Sequence, residues 1–539
     1  MRIHIYTLFC LVSFALSAQK GTPTDYLSKE FHKERREALQ KKMPENSVAV
    51  FFSNPVRNRA NDVDYVYHQD PDFYYLTGLK EPNSVLVVFS EKQTNPKGIS
   101  YNDILYVQEK DPRAEMWNGS RLGEEKAKSE LGFDYVLNTG AFVMSDVNYN
   151  TFNAILFHNF NDDYRDGRSS TDLYNLISTF KKQVGFSKSD VSPIEEQVYK
   201  VIKATPIENS ANVAQNIGSY TTTYPELNDN DQIKKYINAK DDSERSDVKT
   251  YILNLEAEAP KYNTKMLAGF MAELREVKTA EELKLLTKAV KISAQGQIEV
   301  MKAMHSGMSE TEIQGVHEFV YKKYGVEYEG YPSIVGAGAN GCVLHYIENN
   351  KTKVDNDLVL MDLGAEYHGY TADVTRTIPA NGTFTKEQKA IYEIVYKAQE
   401  AGIAACKVGA AFWESNAACQ AEINKGLLEL GIIKSLNEKH NYLPHGVSHY
   451  IGLDVHDTGT YGPLKANSVI TVEPGIYIPE GSPCDKKWWT IAVRIEDDIL
   501  ITENGPVNLS ADAPRKAEDI EALMKKSSPL DKFVLPKID

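Results

Sequence analysis

The chain has 539 residues, of which 42% are apolar and 25% charged, and its formal charge is −15 at pH 7. This is ordinary globular composition, and at roughly 150 residues per domain it leaves room for two to four domains. An acidic chain without a basic run excludes a nucleic-acid binder, and no stretch after the first twenty residues reaches the ~20 apolar residues of a membrane span, which excludes a multispanning membrane protein.

Arg2 precedes an apolar stretch from Ile5 to Leu16, and the small residues Ala15, Ser17 and Ala18 come just before Gln19. That is the layout of a secretory signal peptide. Residues 1–18 are therefore expected to be removed and the protein exported, as a periplasmic or secreted species. Cys10 lies in this leader. Cys342, Cys406, Cys419 and Cys484 show no close spacing and read as packing residues or free thiols, with one disulfide among them left open.

The first half alternates helix and strand. Phe31 to Met43 reads as a charged amphipathic helix and Ser47 to Phe52 as a buried strand, and Ser84 to Ser90 and Asp103 to Val107 repeat the strand character. This predicts an α/β layer. Residues 205–250 are rich in Asn, Asp, Ser and Thr and poor in large apolar side chains, which predicts a polar surface insertion. The expected boundaries are 19–274 for the N-terminal α/β domain, 275–525 for an α+β domain, and 526–539 for a tail. Thr279 with Glu282 forms a capping box ahead of Leu283, Leu286, Val290 and Ala294, spaced along one helix face. Ser309 with Glu312 and Thr385 with Gln388 open two further helices.

Gly336, Gly338 and Gly341 spell G-x-G-x-x-G, but CVLHY follows and reads as a strand rather than as the helix a dinucleotide site requires. The glycines are expected to free a loop that presents His345. The chemistry lies further on. Asp362 interrupts the apolar run LVLMDLG, and Asp373 follows a turn. If that turn centres between Tyr367 and His368, the two aspartates face each other about 5 Å apart at Cβ. Two buried like charges need a cation between them. The alternative, a surface hairpin with two solvated acids, fits poorly with so apolar a strand.

His445, His449 and His456 fall within twelve positions, Glu473 ends the strand VITVE, and Arg494 and Glu496 share one face by the period of two. Each alone would be a structural pair. Together they supply four carboxylates and several imidazoles, enough for two hard divalent cations, with oxygen donors favouring Mn²⁺ over a thiolate-type zinc site.

The order of Asp362, Asp373, His449 in HGVSH, Glu473 in VEPG and Glu496 in RIEDD resembles the proline-specific aminopeptidases of the M24 metallopeptidases. The segments RANDVDY, DFYYLTG and EMWNGSRLG in the first half resemble them too. The resemblance implies a creatinase-like N-terminal domain and a pita-bread catalytic domain. It implies Asp362, Asp373, His449, Glu473 and Glu496 as metal ligands, and His345, His445, His456 and Arg494 as residues that hold substrate, with His345 or His456 stabilising the oxyanion and Glu473 passing a proton. The implied reaction is attack by a metal-bridging hydroxide on the bond between an N-terminal residue and a following proline. A homodimer or homotetramer is implied as well. Trp488 and Trp489 are expected to pack against the N-terminal domain, or else to wall a proline pocket. The rival readings are a prolidase, which cuts X-Pro dipeptides with the same ligands, a metal-free creatinase-like hydrolase, and a non-enzymatic binding module; the last two should lack ligands.

Overall fold

The computed structural model describes residues 23–144, 147–158, 160, 169–186, 193–257, 262–263, 265–532 and 535. The expected leader, with Cys10, lies outside them. Among them no helix is long and apolar enough to cross a membrane.

The N-terminal half is built on a six-stranded mixed sheet. Its spatial order is Val136–Asn138, Ser100–Val107, Val85–Thr94, Ser47–Phe52, Ala154–Phe157 and Tyr262–Asn263. The central strands are apolar on both faces, because side chains alternate sides and both sides are covered. Val48, Val50, Val87 and Ile104 face a core closed by Phe142, Leu176 and Phe180. Ala49, Phe51, Leu86 and Leu105 face the opposite way, into a second core. That second core does not end with the domain. It continues through Phe73 and Tyr75 into Leu285, Leu286, Ala289, Tyr321 and Tyr370 of the catalytic half.

The 205–250 stretch is not a simple surface excursion. Ser210–Tyr220, Asp231–Asn238 and Asp242–Ala257 are helices that pack with Pro193–Ala204 around Ile202, Ile217, Leu227, Ile233, Tyr236 and Ile252. Each short helix contributes only a few apolar side chains, which is why the composition reads as polar.

Helices Ala280–Ala303, Glu310–Lys323 and Lys386–Ala405 begin at the expected caps. Thr279 with Glu282 and Thr385 with Gln388 form reciprocal boxes, whereas Ser309 only accepts from Glu312 N. The helices carry short antiparallel ladders, in the orders Ile334–Ala337, Leu358–Asp362, Thr375–Pro379 and Val469–Val472, Asp497–Thr502, Gly505–Asn508. Gly475–Ile478 pairs with Ile491–Arg494. The GAGANG glycines lead from a strand into the 3-10 turn Gly338–Cys342, and CVLHY continues as turn and loop, not as the expected strand.

The hairpin that carries both aspartates has a register different from the expected one. Asp362 pairs with Thr375 and Tyr367 with Tyr370, so the turn is His368–Gly369. Both turn residues have positive φ, 52° and 90°, the two-residue geometry that matches strand twist. Between the two ladder segments the pairing is irregular, keeping only Leu363 N to Val374 O at 3.4 Å and Ala372 N to Ala365 O at 3.0 Å, and side chains from the helices supplement it. Gln297 donates to Val374 O at 2.8 Å, Tyr321 to Leu363 O at 3.0 Å, and Ala365 N donates to Ser293 Oγ at 2.9 Å. Gly364 is required in this irregular stretch, since a Cβ there would lie 2.0 Å from the Ala372 carbonyl oxygen.

Candidate metal centre

Asp362 ends its strand and Asp373 sits in the irregular stretch opposite, displaced from direct pairing but on the same side of the hairpin. The HGVSH segment runs beside strand Val469–Val472: Thr471 N donates to His449 O, and Glu473 N to Val447 O, both at 2.9 Å. Glu496 follows Ile491–Arg494, and its N–H donates to Thr375 O at 3.1 Å. Four separate chain segments thus deliver all five expected ligands to one wall of a cavity of about 630 Å³, which His345, His445, His456 and Arg494 also line.

Asp373, His449 and Glu496 each offer a donor atom, all within 4.8 Å of one another. His449 Nε2 lies 3.5 Å from carboxylate oxygens of both Asp373 and Glu473. Its Nδ1 lies 3.0 Å from Tyr450 O, so the tautomer protonated at Nδ1 leaves Nε2 with a lone pair toward the acids. Thr375 Oγ1 accepts from Arg494 Nε at 3.2 Å and donates to Glu496 Oε2 at 2.6 Å.

The acids are packed as if for a cation. Tyr331 Oη lies 2.6 Å from Oδ1 of both Asp362 and Asp373, yet it has one proton to give. Glu496 Oε1 is buried with no hydrogen-bond partner. Burial, with Asp362 and Asp498 beside it, pushes Asp373 well above the ordinary carboxylate value, and burial with Asp373 and Glu473 does the same to Glu496. Burial, with Asp362 adding to it, pushes Glu473 up to about 7. Asp362 alone is lowered: against the upward push of burial, the Arg494 guanidinium holds it charged. A buried cluster of this kind, mostly oxygen with one imidazole, fits hard divalent cations. Cys342, Cys406, Cys419 and Cys484 are all free, so the disulfide left open by the sequence is not formed among the described residues, and none of the four belongs to this cluster.

The imidazoles differ in setting. His445 Nε2 is 2.9 Å from Tyr477 Oη, and burial together with Arg494 pushes this imidazole down to about 4. His456 packs edge-on against His449 with ring centroids 4.3 Å apart. His345 stands exposed on the loop beyond the 3-10 turn. Arg494 is 4% exposed, and its donors go to Asp362, Thr375 and Tyr477. The Trp488 and Trp489 expectation is corrected: both pack in the core of the catalytic half itself and neither lines the cavity. Pro332, Ile334, Leu344, Ile347 and Val455 supply the apolar wall instead.

Sequence reasoning missed Tyr331, Tyr477, Thr375 and Asp498. Tyr477 shares the parity of Glu473, and Asp498 that of Glu496, so the period of two could have found them. Asp498 Oδ2 accepts from Asp373 N at 3.0 Å. Tyr331, in a loop ahead of Pro332, carries no periodic signal.

A buried carboxylate cluster with one free imidazole nitrogen, opening on a peptide-sized cleft, defines a metallohydrolase. Residues 284–503 match the family Metallopeptidase family M24, and residues 32–145 match Aminopeptidase P, N-terminal domain. The chain is 32% identical over 510 residues to the Xaa-Pro aminopeptidase of Escherichia coli (strain K12), covering 92% of this chain and 98% of that one. It is 28% identical over 494 residues to Xaa-Pro aminopeptidase 3 of Homo sapiens, covering 90% and 82%. The solved structure of aminopeptidase P from E. coli with the inhibitor Pro-Leu superposes with a TM-score of 0.72 at 30% identity, covering 93% of this chain and 98% of that one. A zinc-substituted form of the E. coli enzyme in complex with product superposes with a TM-score of 0.70 at 29% identity, with the same coverage. The chain belongs to the Xaa-Pro aminopeptidases of metallopeptidase family M24, and it is a metallo-exopeptidase of the pita-bread fold family.

Proposed function

We propose that the protein hydrolyses the bond between an N-terminal residue and a following proline in peptides, with two divalent cations, Mn²⁺ by preference, held by Asp362, Asp373, His449, Glu473 and Glu496. The observation that carries this reading is the set of donor atoms from Asp373, His449 and Glu496, within 4.8 Å of one another at the wall of an open cleft. When bound, such ions polarise a carbonyl and lower the pKa of a water toward neutrality.

The chain's own residues do the rest. His345 and His456, on the cavity wall, are placed to donate to the oxyanion as it develops. Glu473 takes up the proton released by the attacking water and passes it to the leaving nitrogen, which in an X-Pro bond has no N–H of its own. Arg494 orients Asp362, and with His445 it forms the polar side of the substrate cleft, both held from behind by the buried Tyr477 hydroxyl. The apolar wall from Pro332 to Val455 suits a pyrrolidine ring. The dipeptidase reading is not favoured, since relatives matched along almost their whole length carry the aminopeptidase name. Export with loss of residues 1–18 belongs to the same reading, supported by the leader pattern. So does assembly into a dimer or tetramer, supported by exposed Met116 and Trp117 on helix Pro112–Asn118.

The test compares Ala-Pro-Ala with Ala-Pro, after chelation and again with Mn²⁺ restored. Cleavage of the tripeptide before proline, metal-dependent and with the dipeptide poor, is the expected result. Activity confined to the dipeptide would make the protein a prolidase, and inactivity on both with metal bound would overturn the proline pocket.

A further inference from the structure

The junction between the two halves is built from charge. Arg275, Glu276 and Lys278 lie at and just beyond the end of helix Lys265–Glu276, and all three are buried. Interiors exclude charge unless it is paired and hydrogen-bonded. What these residues hold is therefore informative.

Arg275 reaches in two directions. Nη1 donates at 2.7 Å to Asp72 Oδ1, on the N-terminal helix Pro71–Thr77, while Nη2 donates to Asp457 Oδ1 in the catalytic half. Lys278 Nζ donates to Asp457 Oδ2 at 3.2 Å. Asp457 directly follows His456, and its N–H donates to Tyr450 O at 2.9 Å, closing the loop that His456 occupies. Glu276 grips the two ends of the same loop. Its Oε1 accepts from Tyr450 Oη at 3.1 Å and its Oε2 from Thr460 Oγ1 at 2.6 Å. The loop is thus held from behind at Tyr450, Asp457 and Thr460.

On the front of the loop, His456 lines the cavity beside His449. Among the described residues no side chain or carbonyl hydrogen-bonds the His456 ring, so its aim depends on the backbone that carries it. An arginine suits this tether because its planar fork spans two carboxylates at once, which a lysine ammonium cannot do in the same geometry.

We propose that Arg275 is a positioning residue for the hydrolysis: by tying Asp457 to Asp72 it fixes the loop that aims His456, so the N-terminal domain takes part in setting the geometry of the cleft. The inference rests on the peptidase reading above and on His456 acting in it.

The test uses the full-length, metal-loaded protein with Arg275→Lys and Asp72→Asn, each alone and combined with His456→Ala. Arg275→Lys is expected to lower kcat on Ala-Pro-Ala by roughly 10- to 100-fold, as an ångström-scale misplacement does. KM and bound metal should stay near wild type, and amide exchange across Tyr450–Thr460 should quicken. In the His456→Ala background the same change should cost little more, because the two residues act as one unit. Asp72→Asn should act in the same direction but less, and it carries the cycle if Arg275→Lys does not fold. Additive losses in the double variants, or unchanged exchange over the loop, would overturn the proposal. If wild type leaves Ala-Pro-Ala intact, the peptidase reading falls separately and the exchange result alone decides the positioning role.

Discussion

His317 is a buried imidazole where the fold has no use for a charge. It sits on helix Glu310–Lys323 at 0% exposure, its ring 4.0 Å from that of Tyr321, and neither ring nitrogen has a hydrogen-bond partner. Burial pushes it from 6.5 down to about 3, so it is neutral when folded and takes up a proton on unfolding at acid pH. Its contribution is present above about 6.5 and is lost as pH falls toward 3. His317→Leu is expected to gain about 1 kcal/mol at pH 7.5, by removing unsatisfied polar atoms. Below pH 6.5 the wild type should lose about 1.4 kcal/mol per pH unit relative to the variant. Urea unfolding at pH 7.5 and 5 measures both, and parallel pH dependences would contradict the assignment. The same rule decided which site residues were legible. Asp362 and Glu496 stood out because an acid inside an apolar strand is costly, whereas Thr375 and Tyr477 passed unnoticed because Thr and Tyr are ordinary in strands.

Two strands of the metal wall are joined by one side chain. Arg376 is fully buried, and it donates to Asp497 Oδ1 at 2.7 Å, Glu496 O at 2.6 Å and Ala513 O at 3.0 Å. It therefore ties the aspartate hairpin to the segment that carries Glu496. Arg376→Met leaves Asp497 short of its closest cation and is expected to destabilise by roughly 3–5 kcal/mol. Chemical denaturation reads this directly, and a change below about 1 kcal/mol would mean that Arg515, 3.4 Å from Asp497 Oδ2, and Gln399, which donates to the same oxygen at 2.9 Å, hold Asp497 without it. The hairpin also shows where pattern reading stops. The expected turn centres between Tyr367 and His368, but Glu366 and Tyr367 are strand, and only His368–Gly369 turns. His368 occupies a positive-φ position that Asn usually fills, so the turn signal was weak and the expected pairing slipped by two. A slip of two keeps the face, which is why both aspartates still meet.

At the scale of the whole molecule, the carboxylate cluster is expected to make stability depend on divalent ions. Ions that bind the folded chain and not the unfolded one stabilise it, so metal held as proposed at a hundred times its dissociation constant would add about 2.7 kcal/mol. Chelation should lower the melting temperature by several degrees and Mn²⁺ should restore it, as followed by calorimetry. An unchanged transition would mean that the acids are satisfied without ions. The helical cluster from Pro193 to Ala257 was the least legible region, because its core is assembled from four helices that bury only two or three apolar residues each.

The second core has a different consequence, for how such a chain can change over time. Phe51 and Leu86 of the N-terminal sheet share one apolar interior with Leu286 and Tyr370 of the catalytic half. The two family segments matched by this chain are therefore not interchangeable cassettes. A chimaera that took its N-terminal half from a relative at 32% identity would juxtapose side chains never selected together across that interior. Substitutions on either side of the boundary must be accommodated by the other, so the N-terminal sheet drifts in step with the helices that carry the metal hairpin.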